Sequence, residues 1–215
     1  MFSLALMEEQ NEQDKAENPD RDPRNLGGYF LVSDIGLMDP NFVRSVILMI
    51  THDDSGAFGL IVNRPFKLTL GELVEGLEES PASAIPVYVG GPVQQELLFI
   101  LHTVFPGDDR DDYGERPVEG VIFEPATQSV VEYLRDDWSV LPEQQRPAVR
   151  LYAGYSGWGP GQVEGELKAE AWVVVKANSD IIFHPNPAGA WADAFIKKGP
   201  LYQIILQTGF KPSMN

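Results

Sequence analysis

From residue 27 onward the chain is written in short apolar runs punctuated by Gly, Pro, Asn and Asp, a pattern of strands and turns interrupted by a few stretches of helical period. Tyr29-Phe30-Leu31-Val32 reads as a first strand. Residues 45–51 (SVILMIT) are continuously apolar, as expected of a strand covered on both faces. The turn residues His52-Asp53-Asp54-Ser55-Gly56 then join it in a hairpin to a strand over residues 57–62, which ends at Asn63-Arg64-Pro65. Thr69 and Glu72 form a capping box ahead of Leu70, Leu73, Val74 and Leu77, predicting a helix that stops near Glu78.

Strands over residues 86–89 and 97–102 flank Gly90-Gly91-Pro92, which reads as a turn whose glycines supply positive φ. Residues 106–117 read as a charged loop and residues 120–124 as a strand. Val130, Val131, Leu134 and Trp138 mark an amphipathic helix, and residues 149–153 another strand. The glycine-rich residues 154–165 read as a loop leading into a helix over residues 162–170, followed by strands over residues 171–175 and 180–183. Two helices close the chain on either side of Gly199-Pro200. The pattern contains no repeat and no internal linker, so residues 27–215 read as one domain. Residues 1–26, acidic and poor in large aliphatics after Met7, read as a flexible tail.

At 215 residues the chain is long enough to bury a full core without staples. It has no cysteine, which removes disulfides, thiolate nucleophiles and thiolate metal sites. A formal net charge of −16 repels phosphate backbones and disfavours direct DNA binding. No apolar run approaches the length of a membrane helix, and the opening residues lack the basic region and cleavage site of a secretory signal; the expected location is the cytoplasm, with no membrane contact.

The densest unusual segment is Gly154-Tyr155-Ser156-Gly157-Trp158-Gly159-Pro160-Gly161-Gln162, where glycines allow close backbone approach and a helix start follows. It matches neither a phosphate-binding loop nor a dinucleotide fingerprint, and Ser156 has glycine at the wrong offset for a hydrolase elbow. Asn63-Arg64 and Gly90-Gly91-Pro92 stand at strand ends, where sites concentrate on α/β scaffolds. Arg64 is a guanidinium in a chain poor in positive charge. His52 and His102 end strands and would share a pocket if those strands were neighbours, with Asp53 or Asp54 as a third polar group. Metal-ligand spacing is missing, and no cofactor is implied.

Taken together, the sequences GYFLVS at 28–33, DPNFVRSV at 39–46, GAFGLIVNRP at 56–65, VGGPV at 89–93, LH at 101–102, GYSGWGPGQ at 154–162, EGEL at 164–167 and AW at 171–172 closely resemble the AlgH/YqgE family of bacterial proteins. The resemblance covers residues 27–199. It implies an α/β fold of the α+β type, with a mixed, largely antiparallel, strongly curved and barrel-like sheet and flanking helices. It implies little chemistry: the transcriptional-regulator label carried by some members comes from genetic association, and no helix-turn-helix with a basic recognition face is visible here.

The leading expectation is a non-enzymatic binding or regulatory protein with an unknown protein or small-molecule partner. Its working surface would gather Asn63, Arg64, Gly90, Gly91, Pro92, the segment of Gly154, Tyr155, Ser156, Gly157, Trp158, Gly161 and Gln162, and His102. The alternative is an enzyme on a small substrate using His52, His102 or the pair Glu164 and Glu166 as acid or base. A direct nucleic-acid binder comes third, since it would need a clustered basic face.

Overall fold

The computed structural model describes residues 25–106 and 114–211. Its strands are β1 (Tyr29–Ser33), β2 (Val46–Asp53), β3 (Gly56–Ile61), β4 (Pro65–Thr69), β5 (Pro86–Val89), β6 (Val93–Thr103), β7 (Glu115–Val118), β8 (Val121–Pro125), β9 (Val149–Trp158) and β10 (Trp172–Lys176). The helices are α1 (Leu70–Leu73), α2 (Gln128–Tyr133, running into a π turn over Leu134–Trp138), α3 (Gln162–Lys168), α4 (Ser179–Ile182), α5 (Pro187–Ile196) and α6 (Pro200–Thr208). None of the described helices is long and apolar enough to cross a membrane.

The strands form one sheet in the order β10-β1-β2-β3-β9-β6-β8-β7, with β5 added to β9 and β4 to β5. All pairings are antiparallel except β5 with β9. The sheet curls into a half-barrel. Phe58 on β3 and Phe123 on β8 are three strand steps apart, roughly 14 Å in a flat sheet, yet their ring centroids are 5.6 Å apart. At the rim Gly28 runs so close to β7 that an added Cβ would sit 2.5 Å from the Pro117 carbonyl oxygen.

Three clusters of buried side chains follow from this curl. The concave side holds Phe30, Leu48, Leu60, Leu101 and Tyr152, covered by Ile181, Trp191, Phe195 and Ile205 of α4 to α6. Behind β5, β6 and β9 lie Leu70, Leu77, Ile100, Phe105, Leu134 and Trp138. Behind β1 to β3 lie Ile47, Met49, Ile61, Trp158, Val163 and Trp172. Strand β2 is buried on both faces because its alternate residues feed two of these clusters, the reason for its unbroken apolar run.

Several elements differ from the sequence pattern. Helix α1 has its capping box, with Glu72 Oε2 accepting from the Thr69 backbone N–H at 2.8 Å, but it ends at Leu73; Gly76 takes a φ of 83°, and Leu77 reaches the core from a turn. Residues 154–158 are not a loop but the second half of β9. Residues 180–183 are not a strand: Asn178 Oδ1 accepts from Ile181 N–H at 3.1 Å and caps α4. Strands β4 and β7, short and polar, were not expected. The expected tail falls outside the described residues up to residue 24, as does the expected loop over residues 107–113.

Candidate functional site

Three of the segments singled out in the sequence meet at one crossing. Strand β5 lies against one edge of β9 and β6 against the other, so the chain must pass over β9 within Gly90-Gly91-Pro92. Gly90 N–H donates to Ala153 O at 2.9 Å, and Gly90 O accepts from Ile61 N–H at 2.8 Å and Ser156 Oγ–H at 3.3 Å. Val89 N–H donates to Arg64 O at 2.8 Å. An added Cβ on Gly91 would lie 2.1 Å from the Tyr155 carbonyl, and one on Gly90 2.2 Å from Gly154 O. The expected reason for glycine at 90 and 91 is therefore corrected: neither has positive φ, and both are required by the close crossing. Pro92 is exposed just beyond it.

Around this crossing the polar motif side chains are occupied within the fold. Asn63 Oδ1 accepts from Val46 N–H at 2.8 Å and its Nδ2 donates to Arg44 O at 2.9 Å, tying β3 to the entry of β2. Arg64 donates to Asn41 O and to Val43 O, clamping the turn before β2; burial lowers its pKa and Asp39 opposes that shift. Ser156 is buried. Gly157 is exposed opposite Phe58.

The remaining motif residues lie elsewhere. Trp158 points behind the sheet, where Glu166 Oε2 accepts from its indole N–H at 2.9 Å and from that of Trp172 at 2.7 Å. Gln162 donates to Glu166 Oε1 at 2.9 Å and accepts from Gly159 N–H, while Gly161, with φ of 72°, starts α3. His102 faces the cluster behind β6: its Nε2 is 3.0 Å from Glu124 Oε1, and its ring stacks on Phe105 at 3.9 Å. His52 accepts at Nδ1 from Leu26 N–H, so Nε2 carries the proton, 3.3 Å from Glu164 Oε1. The two histidines therefore do not share a pocket, because β3 and β9 separate their strands and their side chains leave the sheet toward different clusters. His184, the third, faces Asp193 at 2.9 Å on the helical side. Among the described residues no group of three His, Asp or Glu is placed to hold a metal ion.

What the sequence left unseen is the concave face itself. Tyr152 and Tyr155 stand an odd number of residues apart and should face opposite sides, but at Gly154, with φ of 68°, the alternation of β9 breaks and both rings face inward. Tyr155 packs on Phe58 at 4.8 Å and Phe99 at 6.2 Å; Phe99 also meets Phe58 at 5.5 Å and Phe123 at 5.6 Å. Phe58, Phe99 and Tyr155 are incompletely covered. Deeper in the same concavity, Arg150 is buried and donates to Val62 O, Ile182 O and His184 O, with its guanidinium 4.6 Å from the Tyr88 ring centre. Beside it, Tyr152 Oη is buried; burial raises its pKa and the adjacent Arg150 opposes that shift. A lone arginine between two strand tyrosines gave no motif signal.

Fold and site together define an α+β half-barrel protein in which Gly90 and Gly91 build a crossing and Phe58 and Tyr155 turn into the concave face. Residues 30–203 match the AlgH-like family model, and the chain belongs to that family. A UPF0301 protein of Vibrio vulnificus is 36% identical over 179 residues, 79% of this chain and 90% of its own. One of Streptomyces coelicolor is 33% identical over 197 residues, 89% and 96% respectively. The solution structure of the AlgH protein from Pseudomonas aeruginosa superposes with a TM-score of 0.65 at 30% identity, covering 90% of this chain and 98% of that one. A Corynebacterium diphtheriae crystal structure shares the fold, with a TM-score of 0.64 at 23% identity over 82% of this chain and 91% of its own.

Proposed function

We propose that the chain is a non-enzymatic binding or regulatory protein that receives a small molecule on the aromatic end of its concave face. One observation carries this reading: Phe58, Phe99, Phe123 and Tyr155, drawn from four strands, are packed ring to ring, yet three of the four stay partly open to solvent. Large aromatic surface left open in a concavity is the usual makeup of a ligand site. Against an enzyme stands the scatter of the acid–base pairs: His52 with Glu164, His102 with Glu124 and His184 with Asp193 occupy three separate places, none beside the four rings.

The test is thermal unfolding against a panel of nucleotides, amines, carboxylates, sugars and metals. A ligand present at a hundred times its Kd adds about 2.7 kcal/mol to the folded state, roughly 5–10 °C in Tm for a chain of this size. The expected result is a shift from one class of organic ligand that shrinks in both Phe58→Leu and Tyr155→Leu. A flat panel, or a shift that both variants retain in full, overturns the reading.

A further inference from the structure

We propose that the ligand of the aromatic face is a small organic cation, an alkylammonium or guanidinium group held over the rings with Glu115 as its counter-charge. The inference rests on the reading above and names the chemistry of the same site.

Position comes first. Glu115 on β7 is the register partner of Phe123 on β8, and directly opposed residues of an antiparallel pair project from the same face with Cβ atoms about 5 Å apart. Its carboxylate therefore belongs to the rim of the concavity that Phe123 shares with Phe58 and Phe99. Of the residues paired with the four rings across neighbouring strands, Glu115 is the one that carries a charge; the others are apolar or neutral, among them Thr51, Leu101 and Val93.

Chemistry comes second. Among the described residues Glu115 has no salt-bridge partner, and burial raises its pKa. Aromatic faces attract cations through their quadrupoles, with about 0.5–1 kcal/mol at exposed sites and more where water is excluded. A negative group beside open rings thus suits a ligand whose positive charge is spread over apolar surface. An anion meets repulsion both from Glu115 and from a chain of net charge −16. A neutral aromatic ligand would gain from the rings but would leave the carboxylate partly desolvated and unpaired.

The experiment is an NMR titration of the full chain with choline chloride, in parallel with its uncharged isostere in which carbon replaces the ammonium nitrogen, and with sodium chloride as the ionic-strength control. The expected result is a saturable shift of the Phe58, Phe99 and Tyr155 ring signals by choline. The isostere should bind at least about tenfold more weakly, since one lost charge contact of this kind is worth about 1.4 kcal/mol. Glu115→Gln should weaken choline by a similar factor and leave the isostere unchanged; its unperturbed spectrum elsewhere reports that it folds. Equal binding of both probes, insensitive to Glu115→Gln, overturns the cation while leaving a binding face in place. Ring signals that neither probe moves overturn the cation too, and the ligand panel then decides separately whether the face binds anything.

Discussion

At the scale of single residues, a buried arginine and an exposed, partly desolvated carboxylate divide the labour. Arg150 is a structural pin: its guanidinium joins the end of β3 to the C-terminal end of α4, where a cation also complements the helix carbonyls. Replacing it by Met, which keeps the apolar stem, leaves three carbonyls without a donor and is expected to cost roughly 2–4 kcal/mol in chemical denaturation. An unchanged midpoint would mean that the carbonyls find other donors. Glu115 behaves in the opposite sense. Because burial raises its folded-state pKa above the unfolded value, the native state holds its proton more tightly, so its contribution to stability is favourable below the unfolded pKa and is lost as pH rises through the folded pKa. Glu115→Gln should therefore melt at or above the wild type at neutral pH, with the difference closing in acid. Binding of an organic cation runs the other way, weakening as pH falls and Glu115 protonates. Pair scanning of Tm and choline affinity between pH 4 and 8, a range set about the ordinary carboxylate pKa of roughly 4, checks both signs.

At the scale of elements, glycine has more than one meaning here, and substitution separates them. Gly91 crosses β9 with no room for a Cβ, so Gly91→Ala should cost roughly 3 kcal/mol or prevent folding. Gly165 sits in α3 with open space around it, so Gly165→Ala should raise stability by about 0.5–1 kcal/mol. Equal effects at the two positions would contradict the crossing. The same distinction decides what was legible in the sequence. The β2–β3 hairpin, the capping box and the two terminal helices were readable because each is specified by local pattern and turn chemistry. The second half of β9 was not, because its glycines look like a loop; Gly154 takes a positive φ and lies against the carbonyls of Gly91 and Val93. Residues 180–183 misled through their β-branched run; the cap at Asn178 outweighs it.

At the scale of the whole molecule, the curl of the sheet decides what a motif can mean. It draws Phe58 and Phe123 together and sends Trp158 and His102 out toward separate rear clusters, although those last two come from motifs expected to share one surface. Asn63, Arg64, Gly90, Gly91 and residues 154–156 lie together, and what they build is the crossing. Of that set it is Tyr155 whose ring turns into the concavity. The partners it meets there, Phe99 and Phe123, had no motif to announce them, because the contact depends on strand order and not on spacing along the chain.

The claim that this face is the working surface is tested most directly by mapping, on the labelled full chain, which signals move when the strongest ligand of the thermal panel is added. The account predicts that the largest shifts fall on Phe58, Phe99, Phe123 and Tyr155, with Glu115 at their edge. Shifts confined to Arg64 and the turn it clamps, or to Trp158, Gln162 and Glu166 behind the sheet, would contradict it.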